Sequence, residues 1–248
     1  MGTSQKLTKY QTRHIEHVKN RVAKAINDYG MISHSDRILA AVSGGKDSLV
    51  MLETLSALRQ FEMFDYHLEA LHIDVTDVPY QVDRDKLQEL ADKLEVRLHV
   101  VSIEAGLEHR GKKAPCFVCS WHRRKALFEY AKENGFKKLA FGHHMDDAVE
   151  TLLINMAYHG NISSIPGKLS MFGGMIHAIR PLILLTNKDT AEFAKIREYP
   201  KLTSECPFED TTYRKTVRDL MKDLESLHPK AKWNLFHSMG NIDEEYLP

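Results

Sequence analysis

Residues 38–48 commit the chain to one kind of local structure. Ile38-Leu-Ala-Ala-Val42 is an apolar run of strand length, Ser43-Gly-Gly45 interrupts it, and Lys46-Asp-Ser48 opens a segment with apolar residues at Leu49, Val50, Leu52, Leu55 and Leu58. The first run suits a strand and the last the buried side of a helix, so the glycines turn a strand into a helix. Two adjacent glycines let the backbone approach a ligand closely and aim successive N–H groups into one concavity, which suits phosphate oxygens. The helix that starts there adds its free N–H groups and macrodipole, both of which favour an anion.

The strand-then-helix pattern repeats. Strand-like runs at Leu68–Asp74, Arg97–Val101 and Leu139–Phe141 alternate with helical patterns at 48–60, 80–94 and 121–134. This order predicts an α/β fold built on a doubly wound, mostly parallel sheet, with ligands gathered at the carboxyl ends of its strands. Ile15, Val18, Val22, Ala25, Ile26 and Tyr29 form one stripe of a preceding helix. Beyond residue 160, Lys168–Phe172 and Met175–Ile179 flank Gly173-Gly174 as a hairpin, and helices are expected at 187–198, 210–226 and 232–239. The expected organisation is an N-terminal helix at 1–30, a ligand-binding α/β domain at 31–185 and a helical extension at 186–248. At 43% hydrophobic and 27% charged residues the chain can bury a sizeable core and is not disordered. No apolar run reaches the ~18–20 residues of a membrane span and the start lacks a signal-peptide core, so a cytoplasmic protein without a membrane partner is expected. Net charge is zero, so nucleic-acid binding would need a local patch.

The carboxyl ends of the predicted strands carry chemistry. Asp74 ends the second, and Phe141-Gly-His-His-Met-Asp-Asp147 ends the fourth. Gly142 permits close packing of an adenine or ribose, and Asp146 and Asp147 suit a Mg²⁺ that screens phosphate charge. The plainer role for Asp146 is to cap the following helix. His72 lies within an apolar strand and reads as a packed core residue.

Three cysteines, Cys116, Cys119 and Cys206, are the whole complement. A Cys-x-x-Cys is compatible with a redox pair, half a zinc site or an iron–sulfur corner. A Cys₃His zinc site completed by His122 or a more distant histidine is one solution. Three cysteines on a [4Fe–4S] cluster, with one iron left open to bind sulfide, is another.

The Ser43–Ser48 run is not a Walker loop: Ala40 stands where that loop has its first glycine, and Asp47 replaces its Ser/Thr. It resembles instead the PP-loop of ATP pyrophosphatases, which cleave ATP between its α and β phosphates. Together with Pro115-Cys-x-x-Cys119, Gly142-His-His-x-Asp-Asp147, Glu150-Thr-Leu152, Ile179-Arg-Pro-Leu182 and Cys206-Pro207, the chain resembles the tRNA 2-thiocytidine synthetase family from about 15 to 240. That resemblance implies ATP-dependent adenylation of cytidine 32 of the anticodon loop, followed by sulfur transfer that expels AMP. It implies cluster ligation by Cys116, Cys119 and Cys206. It places the nucleotide on Ala41, Ser43, Gly44, Gly45, Lys46, Asp47, Ser48, Asp74, Gly142, His143 and Asp147, with Mg²⁺ at Asp47, Asp146 and Asp147. Lys46, Asp47 and the three cysteines would be catalytic. Many members carry a second cysteine after the late one, where this chain has Glu209. A sulfur donor such as a cysteine desulfurase and a homodimer are also implied; the stripe on the N-terminal helix would serve dimerisation or packing on its own sheet equally well.

A tRNA partner needs positive surface. Between His109 and Phe128 stand Arg110, Lys112, Lys113, Arg123, Arg124 and Lys125 and no acid, with Phe117, Trp121 and His122 available to stack an unpaired base. The plainer reading is a solvated basic helix with Trp121 in the core. Arg214, Lys215, Arg218 and Lys222 form a second basic group. Two alternatives stand beside the thiolase: a related thiouridine- or lysidine-forming enzyme with zinc or a persulfide on the cysteines, and a non-catalytic, nucleotide-dependent RNA-binding protein.

Overall fold

The computed structural model describes residues 7–61, 65–79, 81–109, 114–203 and 214–246. Helix α1 (Lys9–Asp28) opens the chain, started by a capping box in which Thr8 and Gln11 satisfy each other's backbone N–H groups. Three βα units follow: β1 (Asp36–Ala41) with α2 (Lys46–Leu58), β2 (Tyr66–Val75) with α3 (Arg84–Lys93), and β3 (Arg97–Ile103) with α4 (Pro115–Glu133). Then come β4 (Lys138–Ala140), α5 (Met145–His159) and the hairpin of β5 (Lys168–Met171) and β6 (Ile176–Ile179). Helices α6 (Asn187–Ile196), α7 (Arg214–Leu227) and α8 (Ala231–Ser238) complete the described chain.

The six strands lie in the order β3-β2-β1-β4-β6-β5, and every pair is parallel except β5 with β6. The expected doubly wound sheet is therefore observed. The chain moves outward from β1 to β3, then crosses back to place β4 on the other side of β1. The connections after β1 and β4 head for opposite edges of the sheet, so the carboxyl ends of these two neighbouring strands form its switch point.

Strand alternation assigns the faces. Ile38 and Ala40 point into a core shared with α1, α2, α6 and α8, whereas Leu39 packs with Leu71, Ile73, Leu127 and Ala131 beneath α4. Ala40, Ala70 and Ala140 are level across three adjacent strands and fully buried, which lets the helices approach the sheet closely. The α1 stripe from Ile15 to Ile26 is buried in this same core, so it packs on its own sheet.

Helix α4 begins six residues earlier than its periodicity predicts, because Pro115 occupies its first turn and carries the Cys-x-x-Cys into the helix. At the β5–β6 hairpin three successive residues are left-handed: Phe172 (φ 52°), Gly173 (φ 66°) and Gly174 (φ 92°). For a phenylalanine this conformation costs on the order of 1–2 kcal/mol. No helix among the described residues is long and apolar enough to cross a membrane.

A polar cluster sits in the sheet between β1, β2 and β3. The Glu69 carboxylate accepts hydrogen bonds from His67 Nε2 at 2.7 Å and from His99 Nε2, with Arg37 at 3.6 Å. Burial pushes the Glu69 carboxyl up, but the bonds from His99 and His67 outweigh it and hold its pKa below the ordinary value. A depressed native pKa adds stability above the unfolded value of about 4.3 and loses it as pH falls through the native one. Urea denaturation should therefore show stability falling below about pH 4.3, and Glu69→Gln should be less stable at pH 7 with a flatter acid limb.

Candidate active site

The β1–α2 turn is built by its own hydroxyls. Ser48 Oγ donates to the Gly45 carbonyl at 2.7 Å and accepts from Ser43 N at 3.2 Å, while Gly45 N donates to Ser43 Oγ at 3.3 Å. Gly44 has φ 83°, and a Cβ there would meet Val82 Cγ1 at 2.8 Å and Thr203 Cγ2 at 3.1 Å, so only glycine fits. Just before the turn, buried His72 donates from Nδ1 to the Val42 carbonyl at 2.8 Å, and burial pushes its pKa down, keeping it neutral. The core reading of His72 holds, with the added task of anchoring the turn. Ala41 ends β1 half-buried, and Asp74, near the end of β2, is paired with Arg84.

Lys46 and Asp47 open α2 as a joined pair. Lys46 Nζ lies 2.7 and 2.9 Å from the two Asp47 oxygens and 2.7 Å from Asn187 Oδ1. Thr190, fully buried on α6, donates to Asp47 Oδ1 at 2.6 Å. Neither Asn187 nor Thr190 was singled out by sequence. Their signal is only the Thr186–Asp189 capping box that starts α6.

The β4–α5 turn meets this pair through backbone. A Cβ on Gly142 would lie 3.0 Å from Asp47 C, Asp47 O and Ser48 N. Next to it, His143 tilts against Phe141 at 5.8 Å, and buried His144 has Asp147 at 3.3 Å, Asp146 at 3.8 Å and Asp47 at 3.9 Å from its ring nitrogens. The two carboxylates divide their roles differently from the plain expectation. Asp147 is the helix cap, accepting from His144 N at 2.9 Å, because it stands three residues after the N-cap His144. Asp146 is turned to the C-terminal helices, with Asn187 N at 2.9 Å on one oxygen and Lys232 at 2.7 Å on the other. Burial opposes the Lys232 charge, yet bonds to Asp146 and Glu225 keep its pKa above the ordinary value. Among the described residues no three His, Cys, Asp or Glu side chains already form a closed cation site.

Cys116 and Cys119 lie one turn apart at the start of α4, at the same carboxyl edge of the sheet. Cys119 packs beside the core beneath α4. Cys206 and Glu209 lie outside the described residues, as do Arg110, Lys112 and Lys113. The chain before Cys206 is described to Thr203, which bridges to Val82 and covers Gly44.

A family model described as a PP-loop domain matches residues 14–224. The tRNA-cytidine(32) 2-sulfurtransferase of Anaeromyxobacter dehalogenans is 37% identical over 229 residues, 91% of this chain and 79% of that protein. The chain belongs to the PP-loop tRNA 2-sulfurtransferase family. The enzyme of the same name from Citrifermentans bemidjiense is 34% identical over 236 residues, 93% of this chain and 92% of that protein. The U34-tRNA thiolase of Methanococcus maripaludis, solved with its [4Fe-4S] cluster, has the same fold: TM-score 0.76 at 22% identity, covering 96% of this chain and 81% of that one.

For a member of this family the basic surface matters. Trp121 and Phe117 are about half exposed, so Trp121 is not in the core, and Arg124 and Lys125 are exposed beside them. His122 is half-buried, edge-on to Trp121 at 4.8 Å. The second basic group is partly spent within the protein: Arg218 bonds Glu150 at 3.0 Å and Lys222 bonds Asp219 at 2.8 Å. The Arg214 side chain is outside the described set, and Lys215 is exposed.

The Gly142 contact gives a direct test. Because the opposing atoms are backbone and cannot swing away, Gly142→Ala should lower stability by about 1–3 kcal/mol in urea denaturation. It should also weaken ATP binding, measured by calorimetry, since the displaced residues are Asp47 and Ser48.

Proposed function

We propose that the protein is an ATP-dependent tRNA-cytidine(32) 2-sulfurtransferase. The observation that carries this reading is the joined pair of turns at the β1/β4 switch point, which brings Lys46 and Asp47 close to the turn that holds Asp147 in a chain of this family. In the first half-reaction O2 of cytidine attacks the α-phosphate of ATP, the bond to the β-phosphate breaks, and pyrophosphate leaves. Negative charge grows on the departing oxygens. Lys46 and the N–H groups of the glycine turn stabilise it, an effect generally worth about 3–4 kcal/mol per donor. Thr190 and Asn187 hold Lys46 and Asp47 in place beforehand, so little rearrangement is needed when charge develops. Asp47 and Asp147 are the carboxylates we assign to a Mg²⁺, which supplies screening of the phosphates when bound. Asp146 we assign a bracing role toward α6 and α8, since both its oxygens are engaged.

In the second half-reaction a sulfide sulfur adds to C2, the C2–O bond breaks, and AMP departs with the oxygen. The chain's cysteines suit the delivery of that sulfur: three soft thiolate donors, two of them one turn apart at the start of one helix. Cys116, Cys119 and Cys206 would hold a [4Fe–4S] cluster, whose open iron supplies a site for sulfide. Glu209, where relatives carry a further cysteine, leaves no fourth thiol for a relay. We assign the sulfur to a donor such as a cysteine desulfurase, the substrate to the tRNA anticodon stem-loop, the setting to the cytoplasm and the working form to a homodimer.

Wild-type protein purified without oxygen should contain iron and acid-labile sulfide and release AMP and pyrophosphate from ATP only with tRNA present. Stoichiometric zinc in place of iron would overturn the cluster assignment, and tRNA-independent or absent AMP release would overturn the reaction. Asp47→Asn and Lys46→Ala should each reduce AMP release by on the order of 10²–10³-fold. Thr190→Val, which keeps shape but removes the hydroxyl, should lower kcat by about tenfold with a smaller change in KM for ATP, as expected for loss of transition-state alignment.

A further inference from the structure

Helix α4 carries an exposed stripe that the nucleotide site does not use. Phe117, Trp121, Arg124, Lys125 and Phe128 recur at spacings of four, three, one and three residues, which keeps them within an arc of about 100° on one side of the helix. Phe117 is 53% exposed and Trp121 49%, and the Lys125 ammonium lies 5.7 Å from the Trp121 ring centre. The stripe starts beside the Cys116–Cys119 turn and runs about 16 Å down the helix.

Phe172, from the β5–β6 hairpin, extends it. Its ring meets Phe128 edge-on at 5.3 Å, Phe128 meets Phe141 at 6.2 Å, and Phe141 meets His143 at 5.8 Å. Phe128 and Phe141 are half-buried against the core beneath α4, so a chain of ring contacts links the exposed Phe172 to the nucleotide turn. Phe172 is left-handed at φ 52° yet 54% exposed, so its strained backbone is not offset by deep burial. Strain of this kind in an exposed aromatic belongs with a residue that faces a ligand.

We propose that this stripe is the docking surface for unpaired RNA flanking the target nucleotide, with bases stacking on Phe172, Trp121 and Phe117 and phosphates on Arg124 and Lys125. The proposal rests on the tRNA reading above and adds where the loop lies. Charge complementarity selects RNA as the occupant. Residues 114–128 carry Arg123, Arg124 and Lys125 and no acid, in a chain whose net charge is zero, and Glu129, which follows them, pairs with Lys125 at 3.7 Å on the exposed surface. Flat aromatic faces interleaved with cations are what single-stranded RNA uses, because every base has a stacking face and every linkage a charge. The stripe begins at the cysteine turn, and the ring contacts from Phe128 through Phe141 lead from it to the His143 turn, so RNA docked on it lies near both.

The test is fluorescence anisotropy of a labelled anticodon stem-loop RNA with the full-length protein. Phe172→Gly suits the left-handed backbone, so its melting temperature should stay close to that of the wild type. Its RNA affinity should fall by on the order of tenfold, as should that of Trp121→Ala, while Trp121→Phe should retain most of it. Lys125→Ala should weaken binding and reduce the slope of log affinity against log salt by about one. Unchanged RNA affinity in both Phe172→Gly and Trp121→Ala, beside a wild type that binds, overturns the proposal alone. If turnover falls in these variants while RNA affinity is unchanged, the stripe serves a protein partner and the RNA assignment is wrong. A wild type that does not bind the stem-loop overturns the tRNA reading and this proposal with it.

Discussion

Two turns from opposite sides of the sheet's switch point touch through backbone, and the site is organised around that contact. The missing Cβ of Gly142 lets the β4–α5 turn rest on Asp47 and Ser48, whose backbone a Cβ would crowd at 3.0 Å. Once the turns are joined, the first residues of α2 and α5 face a common space. Two helix N-termini then point their unsatisfied N–H groups toward the place where phosphates would lie. The polar side chains of the site are arranged around this junction, with Lys46 and Asp47 on one side and His144, Asp146 and Asp147 on the other.

The C-terminal helices turn that junction into a fixed constellation. Asn187 and Thr190 of α6 hold Lys46 and Asp47, and Asp146 is drawn to Asn187 N and Lys232. Lys46 and Asp47 therefore sit as a matched pair, with the lysine charge compensated until phosphate oxygens compete for it. The glycine turn is held more lightly, by hydroxyl bonds from Ser43 and Ser48 and by the carbonyl bond to His72. Rigid charges around an adaptable turn suit a reaction whose leaving group gathers charge late.

Much of this was legible from local pattern. Apolar runs of strand length, the Gly173-Gly174 hairpin and period-3.6 spacing located the six strands and the helices around them, because these signals are local. The Gly-Gly turn and the Gly142 segment were legible for the same reason: backbone proximity to a ligand or a neighbour leaves glycine as its trace. What stayed hidden was long-range. Thr190 lies 143 residues from Asp47 in sequence, and Lys232 is similarly remote from Asp146. A buried hydroxyl in an ordinary helix carries no signal of the carboxylate that it contacts. The exchange of roles between Asp146 and Asp147 has a one-residue origin: the N-cap is His144, a residue rarely read as a cap, so the capping carboxylate falls at Asp147. Phe172 escaped notice because a left-handed phenylalanine beside two glycines looks like an ordinary hairpin end.

Helix α2 is gripped at two places, by α6 and by the residues that follow it. Thr190 takes its first turn, and farther along Arg197 and Tyr199 close on Glu53 at 2.7 and 2.6 Å. Burial, with the Glu53 carboxylate beside it, raises the Tyr199 hydroxyl's pKa and keeps it a neutral donor across the physiological range. A beam pinned at two points cannot pivot. Any adjustment to a departing phosphate group would then fall to residues 42–45, while the axis of α2, and with it the direction of its dipole, stays fixed.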